Sequence, residues 1–244
     1  MMTDYKTDSR RATGSSSESK SSGRHDRWFL TGDPCIFKVE NTLFRLPQDP
    51  FMASPVFVTM FSCPPTVEGP EGISEERPIN LGGISAYEFE QLAWVLNTGI
   101  FEEEIFTIQS FEAILRLSTM WEFDAVRDYA IRIITTHKDE VSAATLIRLA
   151  LSFGVSDWLI PAYTQLCIRT SSISLEEGLE LGMRVTVGLG KLREFIRCCS
   201  YSSSKIETRF HGQGGCGHVA HFMTPDAFRE YVEKQVQCSD LPLE

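Results

Sequence analysis

Cys35-Ile36-Phe37-Lys38-Val39-Glu40-Asn41-Thr42-Leu43-Phe44-Arg45-Leu46 sets two five-residue β-prone runs on either side of Glu40-Asn41, and predicts a hairpin with a two-residue turn. Downstream, Pro50 to Phe61 carries Phe51, Met52, Val56, Phe57, Met60 and Phe61 at helical spacing, with Ser54-Pro55 supplying a cap and a first turn. Residues 63–77 concentrate Pro, Gly and Glu and read as an exposed loop. Pro78 to Leu81 then reads as a short strand returning to the sheet. From Ser85 the apolar period becomes helical. Ser85-Ala86-Tyr87-Glu88 has the form of a capping box, and Phe89, Leu92, Ala93 and Leu96 mark one buried face before Asn97 or Gly99 ends the helix.

The same reading gives a helix over Gln109–Glu122, with Phe111, Ile114, Leu115 and Trp121 inward, and another over Asp124–Thr136 capped by Asp124. Ala143–Phe153, Asp157–Ile168, Leu175–Arg197 behind a Ser174/Glu177 capping box, and Pro225–Val236 behind Thr224 continue the helical pattern. Only Ser200–His221 is weak. The expected fold class is α+β: a small mixed sheet flanked by helices over about 32–137, followed by an all-helical extension over 138–244 with a Gly-rich loop near 200–221. Residues 1–27, rich in Ser, Thr, Lys, Arg and Asp, have too few apolar groups to offset their ordering entropy and read as a disordered tail, with order beginning at Trp28.

Charge narrows the function. The 244 residues hold 23 Lys/Arg against 33 Asp/Glu, a formal net charge of −10. Because affinity for nucleic acid comes largely from neutralising phosphates, so acidic a chain disfavours direct binding to DNA or RNA. The longest apolar stretch, Val141 to Val155, is broken by Arg148, well short of the roughly 18 uninterrupted apolar residues of a membrane span. With no apolar run ahead of Trp28, these residues are not expected to act as a secretory signal. Seven scattered cysteines, Cys35, Cys63, Cys167, Cys198, Cys199, Cys216 and Cys238, read as reduced thiols. The expected location is cytoplasm or nucleus.

Catalytic patterns are poor. Gly83-Ile84-Ser85-Ala86-Tyr87 lacks the second glycine of a nucleophile elbow. Gly188-Leu189-Gly190-Lys191-Leu192 lacks the rest of a phosphate loop and reads as a helix interruption. Tyr201 and Lys205 share a dehydrogenase spacing, but no Gly-rich strand–helix turn precedes them. The remaining constellation is Cys198, Cys199, His211, Cys216, His218 and His221, soft ligands of the kind zinc prefers, yet without a C-x-x-C pair. Its alternative reading is a Gly-rich loop that happens to hold thiols and imidazoles. No catalytic residue, metal ligand or cofactor is assigned; a metal-dependent or nucleotide-using enzyme is the rival reading, and would need ligands or Gly-rich turns at strand ends.

Asp33-x-x-Ile36-x-x-Val39-Glu40-Asn41-Thr42-Leu43-Phe44-Arg45, followed by Ser54-Pro55-Val56-Phe57-x-x-Met60-Phe61, resembles the opening of a BTB/POZ domain. Pro78-Ile79-x-Leu81-x-Gly83-Ile84-Ser85 and Phe89-x-x-x-Leu92-x-x-Val95-Leu96 are similar to its third strand and third helix. Ala113-Ile114-Leu115-x-Leu117-Ser118-x-Met120-Trp121-x-Phe123-Asp124-x-Val126-Arg127 resembles the helix pair that follows, in the style of the large fungal (basidiomycete) group. Trp158-Leu159-x-Pro161-Ala162-Tyr163 and Leu175-Glu176-Glu177-Gly178 are similar to that group's helical tail. The resemblance covers about residues 30–190.

The resemblance implies a non-enzymatic interaction module with protein partners: itself as a homodimer, or a cullin scaffold for which it would serve as ubiquitin-ligase adaptor; a separate rival reading is a transcriptional co-regulator that reaches chromatin only through a partner. Where many members carry a His and a basic residue after the second strand, this chain has Leu46-Pro47-Gln48-Asp49. No zinc-finger pair or Kelch-like repeat follows within these residues. Asp33 enters as an interaction residue through the resemblance. Phe51, Met52 and Val56 enter through their spacing, since they cannot all point into a core that the hairpin, Phe57, Met60 and Phe61 already fill, and apolar area is left for a partner.

Overall fold

A computed structural model describes residues 23–29, 35–64, 69–98, 107–201, 225–237, 239 and 241–243. Among them are eight α-helices and one four-stranded mixed sheet, so the fold class is α+β. Internal contacts divide the chain into two compact units, one reaching Pro47 and including Pro65–Ala86, the other comprising Gln48–Pro64 and everything from Tyr87. This division differs from the expected boundary near 137.

The first unit is the sheet. Strands β1 (Gly23–Phe29), β2 (Cys35–Val39), β3 (Thr42–Leu46) and β4 (Ile79–Leu81) lie in the order β1-β3-β2-β4. The expected hairpin is there, pairing Cys35 with Leu46 and Val39 with Thr42. Its turn puts Glu40 at φ 53°, and the Glu40 carboxylate accepts the Ala86 N–H at 3.1 Å. Both outer strands run parallel to their neighbours, β1 to β3 and β4 to β2. Phe37, Val39, Phe44 and Leu46 are wholly buried.

β1 corrects the expected tail at its C-terminal end. Strand pairing draws on backbone N–H and C=O groups that every residue here owns, so the polar run Gly23-Arg24-His25-Asp26-Arg27 can join a sheet without an apolar pattern. Side-chain contacts also tie it to the sheet: His25 stacks on Phe44 with centroids 4.6 Å apart, and the Arg24 guanidinium donates to both Glu75 carboxylate oxygens, at 2.7 and 3.2 Å.

The described part of the 63–77 segment is also tied down. The Ile36 N–H donates to the Gly72 carbonyl and the Gly72 N–H to the Arg77 carbonyl, each at 2.7 Å. Gly72 is buried at φ +81°, where an added Cβ would sit 2.7 Å from the Cys35 sulfur and 2.9 Å from Ile79 Cδ1. An L-side chain there is strained in its backbone and overlaps the sheet. Gly72→Ala is therefore expected to cost about 2 kcal/mol or more of stability, read from urea unfolding.

The second unit is helical. After a 3-10 turn at Asp49–Ala53 come α1 (Pro55–Phe61), α2 (Ala86–Thr98), α3 (Ile108–Met120), α4 (Asp124–Thr136), α5 (Ala143–Phe153), α6 (Leu159–Ile168), α7 (Leu175–Tyr201) and α8 (Pro225–Gln237). Helix α5 matches its expected span, entered by a Ser142 cap and closed by Gly154 at φ 67°. The Ser174/Glu177 capping box forms as read: the Ser174 hydroxyl accepts the Glu177 N–H at 3.2 Å and the Glu177 carboxylate accepts the Ser174 N–H at 2.8 Å. Three expectations change. Asp124 is the first helical residue of α4 rather than its cap, placed to favour the positive end of the helix dipole. The segment read as helix from Asp157 begins with a 3-10 turn, Ser156–Trp158. The break in α7 lies at Gly182, with φ 77° and ψ 161°, while Gly188 and Gly190 lie in helix. No described helix is long and apolar enough to cross a membrane.

Arginines join these helices. Arg148 on α5 donates to both Glu112 oxygens on α3, at 2.7 and 2.8 Å, and to Glu180 on α7 at 3.0 Å. Arg193 is buried and donates to the carbonyls of Leu166, Arg169 and Ser171, closing the end of α6. Arg169 is paired with Glu177, whose carboxyl is held down at about 2 chiefly by the guanidinium hydrogen bond. A carboxyl with a folded pKa below its unfolded value near 4.3 stabilises the fold above that value and loses the contribution as pH falls toward 2. Glu177→Gln should therefore flatten the fall in melting temperature between about pH 5 and 2, compared with the unmodified chain.

Candidate interaction surface

Residues 50–64 contain no charged side chain. Ser54 has extended backbone angles and caps α1: its hydroxyl accepts the Phe57 N–H at 3.2 Å and donates to the Trp121 carbonyl at 2.5 Å. One buried oxygen thereby satisfies an orphan donor at the helix start and a carbonyl at the end of α3. Pro55 follows at the first helical position, where its missing N–H costs nothing.

Inward from α1 lies an aromatic cluster. Phe57 packs on Phe51 at 5.0 Å between centroids, edge-on to Trp121 at 5.2 Å and tilted against Phe123 at 5.7 Å. Phe51 also reaches Phe89 and Phe123. These offset and edge-to-face arrangements suit aromatic quadrupoles, and Phe51, Phe57, Phe89 and Phe123 have at most 1% of their surface exposed.

The expectation for Phe51 is thus overturned. The spacing sets Phe51 with Met52 and Val56 among residues that leave apolar area for a partner, yet Phe51 is fully enclosed. The 3-10 turn ahead of α1 rotates Phe51 inward, and rings contributed by α2 and by residues 121–123 complete a pocket that the local sequence does not reveal. Met52 and Val56 do face outward, 45% and 38% exposed. Met60, another turn along, is partly open, and Phe61 lies against Phe57 with centroids 6.0 Å apart. Asp33 lies outside the described residues.

The outward face is apolar, uncharged and carried by a helix whose underside is rigidly packed, the composition found at the centre of protein interfaces. The nearest polar groups are mostly satisfied within the chain: the Thr59 and Ser62 hydroxyls donate to the carbonyls one turn back, and the Gln48 amide lies 3.9 Å from the Met52 sulfur.

Shifted titrating groups lie elsewhere and each has a structural cause. Burial pushes the Cys35 and Cys167 thiols up to about 11 and the Tyr163 phenol to about 12. The Tyr163 hydroxyl donates to the Pro242 carbonyl at 2.9 Å. Cys35, Cys63 and Cys167 are free thiols. Among the described residues no three His, Cys, Asp or Glu side chains are grouped to hold a metal ion. In the Cys/His constellation the side chains of Cys198 and Cys199, and all of His211, Cys216, His218 and His221, lie outside the described residues.

Sequence reasoning missed a second apolar surface. Leu175, Leu179, Met183, Val187 and Phe195 on α7 are all well exposed, Met183 at 79%. The signal lies in the sequence, since α7 carries apolar residues on two faces, one buried and one exposed. No family model matches the sequence, and no curated protein matches it.

Phe51→Ala is expected to lower unfolding free energy by about 3–5 kcal/mol through the cavity it leaves. Val56→Asp should change it by less than about 0.5 kcal/mol, as a surface replacement. Denaturant titrations of the two variants check the division of this helix into core and surface.

Proposed function

We propose that this chain is a non-catalytic protein–protein interaction module of the BTB/POZ type that associates with a second copy of itself through the outward face of α1. The observation that carries the reading is that Met52, on the 3-10 turn, and Val56, on α1, are both exposed on a segment without charged side chains from Pro50 to Pro64, its inner side locked by the Ser54 cap and the aromatic cluster. Binding through a face already ordered loses little conformational freedom, so more of the apolar burial appears as affinity. The order of elements supports the family assignment: hairpin, capped helix, returning strand, then α2 and the α3–α4 pair, with the resembling motifs falling on those elements. The similar tail motifs also occupy structural positions, with Trp158 donating to the Thr135 hydroxyl at 2.8 Å and Glu177 closing the capping box.

A stable interface takes about 800 Å² from each partner, so Met52, Val56 and Met60 would form the apolar centre of a larger contact. Sedimentation equilibrium at about 20–50 µM, a range that populates micromolar dimers, should report a dimer. Met52→Asp with Val56→Asp should give a monomer with an unchanged melting curve, because a carboxylate desolvated at an interface is costly while one in water is not. A monomeric unmodified chain, or a double variant that remains dimeric, would remove α1 as the self-association surface.

A further inference from the structure

Beyond Gly182, α7 turns Val185, Leu189, Leu192 and Ile196 inward, all buried. Its other side, with Met183 and Val187, borders a groove of about 630 Å³ whose opposite wall is the C-terminal segment at Ser239 and Leu241. Gly188 lets that wall come close: a Cβ there would lie 2.8 Å from Leu241 Cδ2. Met183, Val187, Leu192 and Leu241 make the groove's apolar lining.

Its charged residues are both cations, Arg184 and Lys191. They are seven positions apart, two helical turns or about 10 Å. Among the described residues neither has a carboxylate partner. Glu180, one turn before Arg184, is taken by Arg148, and Glu177 by Arg169. Glu194, near Lys191 on the helix, does not line the groove. On a chain of net charge −10, two cations over an apolar floor, without a carboxylate partner among the described residues, are a local inversion of the surface character.

We propose that this groove docks an amphipathic helical segment of another protein, apolar on the face it inserts and carrying carboxylates two turns apart. An apolar floor needs apolar side chains to fill it, and Arg184 and Lys191 select carboxylates at matching separation. A second copy of α7 is the poorer occupant. A two-fold contact sets the same patch against itself and would bring these cations together. The inference goes beyond the self-association reading of α1 and does not depend on it.

The test is fluorescence polarisation on the full chain with a labelled, helix-forming 15-residue peptide bearing Leu on one face and Glu two turns apart. The controls are its Glu→Gln counterpart and a scrambled peptide. The Glu peptide should bind with a Kd on the order of 10 µM, and at least tenfold more weakly as the Gln form. Arg184→Glu with Lys191→Glu should produce the same loss, and Val187→Arg should abolish binding, each with an unchanged melting curve. Met52→Asp with Val56→Asp should leave peptide binding unaltered, separating this groove from α1. Equal binding of scrambled and designed peptides, no saturation by 1 mM, or binding indifferent to the Arg184 and Lys191 reversals would overturn the proposal. So would a dimer that Val187→Arg dissociates, which would assign the face to a second copy.

Discussion

The buried hydroxyl of Ser54 is the constraint on which the candidate interaction face depends. It accepts from the backbone of α1 and donates to the carbonyl of Trp121, so the start of α1 is fixed to the end of α3 by a group with no access to water. Loss of either bond would leave a buried polar atom unpaired, at about 1–3 kcal/mol. With that point set, Phe57 enters the cluster of Phe51, Trp121 and Phe123, and rotation of α1 is decided. Met52 and Val56 are outside because Phe51, Ser54 and Phe57 are inside. The candidate surface is a consequence of core packing.

The later helices are organised by arginine rather than by aromatic rings. Arg148 bridges α3, α5 and α7, Arg193 closes the end of α6 from α7, and Arg169 faces Glu177 across the loop between those helices. A guanidinium presents several donors in one plane and can meet two carboxylates or several carbonyls without changing its charge state, which a lysine cannot do. Arg148 is held further in its charged form, mainly by its hydrogen bond to Glu112. The expected boundary near residue 137 therefore does not separate independent bodies. Helices α3 and α5 share an ion pair across it, and α3 through α8 belong to one compact unit.

Legibility in the sequence followed the range of the interactions. The hairpin, the Ser54 and Ser174 caps, and helices α3, α5 and α6 were read to within a few residues, because turn chemistry, capping and apolar period act over four to eight positions. The β1 strand was not, since its pairing with β3 and its Arg24–Glu75 contact join residues far apart in sequence. Gly182 was passed over for Gly188 and Gly190. A glycine permits a break without requiring one, and both others stay in helix. At the candidate surface Met52 and Val56 are exposed and Phe51 is enclosed. Its burial depends on rings at positions 89 and 123, which no local pattern locates.

Two helices carry more apolar surface than their own packing consumes. On α1 the excess is a short uncharged stripe, and on α7 it is a longer face beside Arg184 and Lys191, which have no carboxylate partner among the described residues. Scattered apolar residues at a surface are ordinary, but Val56 and Met60 on α1, and Met183 and Val187 on α7 beyond Gly182, stand four apart, the spacing that aligns side chains on one side of a helix. The opposite side of each helix is filled and immobilised by the core. Preorganisation of that kind lowers the entropy lost on association and leaves partner choice to what surrounds the apolar residues. A stretch without charged side chains, as over residues 50–64, tolerates a self-complementary contact, whereas the two cations beside the α7 groove select against one, so the two faces differ in the contacts they favour even though both are built from apolar side chains.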